Sequence, residues 1–148
     1  METAERLGAI DAIKALKARY FRHMDAKDWV GLESVFATDL VADFRDSTGS
    51  HDETLLTVGA ALYVANLAPI LQNITTVHHG HMSEIEITSA TTAAGIWAME
   101  DLLWVHEGSP IPYKTLYGCG HYHETYEKRD GAWVIKTIRL NRLRVDVT

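Results

Sequence analysis

The first stretch of the chain is helical by its pattern. Leu7, Ile10, Ile13, Leu16 and Tyr20 recur at three- and four-residue spacing, which aligns them on one face of a helix over about Ala4 to Met24. Asp25 follows the last turn, and Asp28 stands where an N-cap would open a short second helix over Trp29–Phe36. Val41–Phe44 predicts a short strand and Glu53–Ile70 a third helix, with Pro69 at its end or at a kink. From Thr75 onward the period changes from 3.6 to 2. Strands are predicted over Thr75–Thr88, Ala93–His106, Tyr113–Lys128 and Ala132–Val147. A turn at Ser89–Thr92, a loop at Glu107–Pro112 and an Asp130-Gly131 hairpin separate them.

Helices followed by long antiparallel strands predict an α+β fold. The expected architecture is one domain over 1–148. A cone-shaped, curved antiparallel sheet carries the N-terminal helices on its concave face, with room inside for a small apolar ligand. The length of 148 residues suits such a unit, and 47% apolar against 23% charged residues is ordinary for a globular chain.

Charge and cysteine content narrow the partners. The formal net charge is −6, which argues against nucleic acid, since phosphate binding needs a clustered positive field. The one basic group, Arg139, Arg142 and Arg144, is spread over both sides of a predicted strand. No run of 18 apolar residues is present, so no membrane span is expected. The acid-bearing N-terminus does not read as a signal peptide. Cys119 is the single cysteine, so no intrachain disulfide can form, which fits a reducing, cytoplasmic setting.

The candidate chemistry is carried by carboxylates and histidines. Asp101 interrupts the apolar row Trp97, Met99, Leu103, Val105; it is either an edge or interface residue, or a buried carboxylate that orients a histidine. Asp25 lies five residues past Tyr20, so the two converge near one helix end, where an acid is disfavoured by the helix dipole unless something else holds it. Five of the eight histidines fall in two segments, His78-His79-Gly80-His81 and His121-Tyr122-His123. In a regular strand His79 shares the parity of Ile85 and Ile87 and faces the core; a bulge at Gly80 would turn His78 inward instead. Tyr117, Cys119, His121 and His123 share one parity of the long strand, and Tyr122, Glu124 and Tyr126 the other. Histidines from two strands can bind zinc, but no HExxH or CxxC spacing supports a metal, and no phosphate loop or GxSxG elbow is present. A histidine paired with an aspartate in an apolar pocket, with a tyrosine near, is the inventory for enolisation, dehydration or isomerisation without a cofactor.

Several stretches carry a family resemblance. They are Ala12-Ile-Lys-Ala-Leu-Lys-Ala-Arg-Tyr-Phe-Arg22 with Asp25, His78-His-Gly-His81, Trp97–Asp101, and Tyr126-Glu-Lys-Arg-Asp-Gly-Ala-Trp133. In them the chain resembles the SnoaL-like branch of the nuclear transport factor 2-like superfamily, near the bile-acid 7α-dehydratases and, more distantly, scytalone dehydratase. The resemblance implies an Asp25–His78 dyad joined by Tyr20, Asp101 and Arg142. It also implies a cofactor-independent lyase that removes water β to a carbonyl of a small hydrophobic cyclic substrate, in a dimer or trimer. Trp97, Tyr117 and His123 join Arg142 as candidate substrate-binding residues. An isomerase or cyclase, or a non-catalytic binding or assembly module, remains open on the same fold. Two departures stand out. Tyr117 falls where scytalone dehydratase carries its second histidine, and the middle helix matches the family poorly.

Overall fold

A computed structural model describes residues 1–148. The elements in chain order are α1 (Thr3–Ala26), α2 (Trp29–Ser34), β1 (Phe36–Asp43), β2 (Leu56–Val58), α3 (Ala60–Leu71), β3 (Ile74–Ile87), β4 (Thr92–Val105), β5 (Thr115–Arg129) and β6 (Ala132–Val147). A single 3-10 turn at Glu53–Leu55 precedes β2.

The strands form one curved, unclosed sheet in the order β2-β1-β6-β5-β4-β3. Four neighbouring pairs are antiparallel, but β1 runs parallel to β6, so the sheet is mixed rather than antiparallel throughout. The Asp130-Gly131 turn between β5 and β6 takes positive φ at both residues, 50° and 82°, the geometry a two-residue hairpin needs. The middle helix is shorter than its apolar pattern suggests. Residues 53–58 turn and then pair with β1 as β2, and the helix starts only at Ala60.

α1 buries Ile13, Leu16, Lys17, Tyr20 and Met24 along one face, packed against the concave side of the sheet. Leu7 lies outside that contact and is exposed. The core joins this face to Leu32, Phe36, Leu40, Tyr63, Trp97, Met99, Tyr122, Tyr126, Ile135 and Ile138. No helix is long and apolar enough to cross a membrane.

Bulges on β3 and β6 decide which residues face inward. On β3, Gly80 pairs with Met99 but Ser83 pairs with Trp97, so one extra residue sits between them. Buried parity accordingly switches from Ile74, Thr76 and His78 to Ser83, Ile85 and Ile87. On β6, Tyr126 pairs with Ile135 but Thr125 pairs with Thr137, which turns Ile138, Leu140 and Arg142 inward.

Candidate active site

α1 ends one residue after Asp25. Lys27 adopts the left-handed conformation at its C-cap, with its N–H returned to the His23 and Met24 carbonyls. The Asp25 carboxylate is thereby free to reach β3. There it accepts three hydrogen bonds: from Thr76 Oγ1 at 2.9 Å, from the His78 backbone N–H at 2.9 Å and from His78 Nδ1 at 2.6 Å. Burial pushes the Asp25 carboxyl up, but the His78 and Thr76 bonds outweigh it and hold the group below its ordinary value. Because Nδ1 donates to the carboxylate, the lone pair of the neutral ring is on Nε2. The bulge at Gly80 is the alternative that brings His78 inward. His79 and His81 lie outside, where both approach Glu100.

Nε2 faces a second carboxylate. Asp101 Oδ2 is 3.8 Å away, and Asp101 is buried. The charge is matched by Arg142, which donates from Nη1 at 2.6 Å and from Nη2 at 2.9 Å in a two-pronged pair. Arg142 also donates from Nε to the Ser47 carbonyl at 2.7 Å. Arg142 is therefore committed to the protein, and it reads as the group that keeps Asp101 in place rather than as a direct substrate contact. Gly118 lies opposite Asp101 on β5, and a Cβ there would stand 2.4 Å from Arg142 Nη1. The missing side chain is what leaves room for the pair.

Aromatic rings frame the dyad. Phe21 lies nearly parallel to the His78 ring, 6.2 Å between centres and 19° between planes. Tyr20 meets Phe21, Phe36 and Tyr122 edge-on. Burial holds the phenols of Tyr20, Tyr63 and Tyr122 well above their usual value, so all three stay protonated. Protonated phenols are donors for a negative oxygen.

The remaining expectations divide by face. Trp97 is buried and donates its indole N–H to Tyr126 at 2.9 Å, beside Gly80 and Phe21. Tyr117 points to the convex face, where its hydroxyl donates to Glu100 at 3.0 Å. His123 shares that face with Tyr117, opposite the buried row Tyr122, Glu124 and Tyr126. The structure brings Asp25, His78, Asp101 and Arg142 into one chain of contacts, sets Tyr20 against Phe21 and Tyr122 beside it, and leaves Tyr117 and His123 apart. His121 also faces away from His78, and no three His, Cys, Asp or Glu side chains are arranged around a common metal position.

Neither Asp25 nor His78 lines any of the four principal cavities, and the Phe21 and Tyr122 rings pack beside the dyad. A cavity of about 780 Å³ lies toward the other end of α1, between Arg6, Ala12, Ile87 and Trp133. Another, about 430 Å³, reaches Arg142 from outside through Asp46, His51 and Asn141. Sequence reasoning also passed over Thr76, Gly118 and the pair Lys17–Glu124. The one available signal was a lysine at position 17 on the apolar face of α1.

N-terminal helices on an open, curved, mixed sheet, with a histidine–aspartate pair at the helix end, define a nuclear transport factor 2-like domain. The chain belongs to the SnoaL-like domain family, whose model matches residues 5–139. A curated relative, a probable cyclase of Gibberella zeae, is 26% identical over 141 residues, covering 88% of this chain and 89% of its own. A scytalone dehydratase-like protein of Novosphingobium aromaticivorans superposes with a TM-score of 0.85 at 21% identity, over 99% of this chain and 92% of its own. Hexachlorocyclohexane dehydrochlorinase LinA-type3 of Novosphingobium barchaimii gives a TM-score of 0.81 at 19% identity, over 99% and 94%. At such identities these structures speak for the fold.

Proposed function

We propose that the protein converts a small hydrophobic cyclic molecule, removing water β to a carbonyl by acid–base catalysis at His78. The observation that carries this reading is the 2.6 Å bond from His78 Nδ1 to Asp25, which leaves Nε2 as the base facing Asp101. In this reading Nε2 takes the proton from the carbon beside the carbonyl. The electron pair moves into an enolate, whose oxygen accepts a hydrogen bond from Tyr20. The enolate then expels the β-hydroxyl, which leaves as water with the proton that His78 carried. Asp101, held by Arg142, accepts a hydrogen bond from that hydroxyl and sets it beside Nε2. Every proton moves between side chains and substrate, and the reading calls on no metal or cofactor.

The test is turnover of hydroxylated cyclic ketones and steroids by His78→Ala and Asp25→Asn. Both should lose about 100- to 10,000-fold in turnover, the range general acid–base catalysis supplies, with unchanged circular dichroism. Native rates in both variants would leave the domain as a ligand binder. A second reading, a cyclase or isomerase built on the same enolate, is supported by the Gibberella zeae relative described as a probable cyclase. Product analysis separates the two. On family resemblance we also propose a homo-oligomer, dimer or trimer, which sedimentation would test.

A further inference from the structure

A second polar cluster lies under α1, and the proposed chemistry does not use it. Lys17 is fully buried, and its ammonium donates to Glu124, also fully buried. Tyr126 donates to the other Glu124 oxygen at 2.5 Å, and Trp97 donates to the Tyr126 hydroxyl at 2.9 Å. The ammonium also sits 3.6 Å from the centre of the Tyr122 ring and 3.9 Å from that of Tyr20. Every member is satisfied, and together they join α1 to β4 and β5.

Such a pair is a poor way to gain stability. Well-packed apolar residues of similar size usually do as well or better, because both charges must be stripped of water. What a buried ion pair supplies is direction. Ile13, Leu16 and Met24, the other buried residues on this face apart from Tyr20, pack through apolar contacts, whose attraction is non-directional and specifies orientation less sharply than a charge-assisted hydrogen bond. Besides a 3.5 Å contact from Arg6 to the Ile87 carbonyl near the helix start, α1 is held to the sheet by two charged side chains, Lys17 to β5 and Asp25 to β3. They are roughly two turns apart, about 12 Å along the axis.

We propose that the Lys17–Glu124 pair is the register key of α1: it fixes the rotation of the helix on the sheet so that Asp25 meets His78. Lys17 and Glu124 are positioning residues, and the inference rests on the dyad reading for what is positioned.

The readout is the far-downfield NMR signal of the His78 Nδ1 proton bonded to Asp25, assigned by its loss in Asp25→Asn. It needs no substrate. In Lys17→Met/Glu124→Gln the volume is kept, the Tyr126 acceptor is kept and both charges go. The expected result is a melting temperature at or above the native one, together with loss of the Nδ1 signal. A native signal in the folded double variant overturns the proposal. If the double variant does not fold, Glu124→Gln alone is read the same way. A native protein that lacks the signal refutes the dyad geometry itself, a failure distinct from that of the register key.

Discussion

Asp101 and Arg142 meet only because the residue between their strands has no side chain. Gly118 lies directly across from Asp101, and a Cβ would press within 2.8 Å of Asp101 Oδ1 as well as onto the guanidinium. Gly118→Ala should therefore cost about 1–3 kcal/mol through overpacking, and should displace Asp101 from His78. Denaturant melts check the first effect and turnover the second. Native activity in a destabilised Gly118→Ala would argue that Asp101 takes no part. Gly80 does the same for the other side of the site. A Cβ there would stand 2.6 Å from the Phe21 ring, which packs on His78. Neither glycine signals its role in sequence, because each is defined by a partner far along the chain.

At the scale of the element, α1 carries both a charge that costs stability and the carboxylate that orients the base. Burial pulls the Lys17 ammonium down to about 8, against the attraction of Glu124. An ordinary lysine releases its proton near 10.4. Below 8 both folded and unfolded chains hold the proton. Between the two values the unfolded chain holds a proton that the folded one has shed, so this group makes stability rise with pH. Urea melts at pH 7.5, 8.5 and 9.5 should show that rise in the native protein relative to Lys17→Met/Glu124→Gln. Parallel curves would mean that Lys17 does not titrate in this window. The apolar spacing of α1 was legible from Ile13 to Tyr20. The meaning of the lysine within it was not, since its partner Glu124 lies on a strand more than 100 residues away.

Across the whole molecule, helices come first and long strands after, and the sheet curves around α1 with the acid–base pair at the helix C-terminal end. The large cavity near Arg6 and Trp133 is remote from that pair, so cavity size does not mark the site. The segment between β4 and β5 flanks it instead. Ile111 packs against the core, and the half-buried Tyr113 phenol lies close enough to Asp101 and Arg142 to feel both charges. A bound hydroxylated cyclic ketone should slow amide exchange at Ile111, Tyr113 and Lys114. Protection at residues 5–12 and 128–133 instead would move the binding site to the far cavity.

Local order fixed much of this protein before any tertiary contact. Periodicity marked α1 and the long strands, and the Asp-Gly dipeptide marked the turn at 130–131, because each depends on neighbours within a few residues. The family resemblance carried Tyr20, Asp25, His78 and Asp101 within its matching stretches and implied Arg142 beyond them. Tertiary structure decided which of them face one another. Strand parity by itself pointed His79 inward, and only the extra residue between Gly80 and Ser83 turned His78 to Asp25. A second extra residue on β6 turned Arg142 to Asp101. The parallel pairing of β1 with β6, the conversion of residues 56–58 from expected helix to β2 and the outward turn of Tyr117 and His123 were likewise set at long range. A bulge exists where distant packing makes one extra residue cheaper than burying the wrong side of a strand, and that balance is not written in the local sequence.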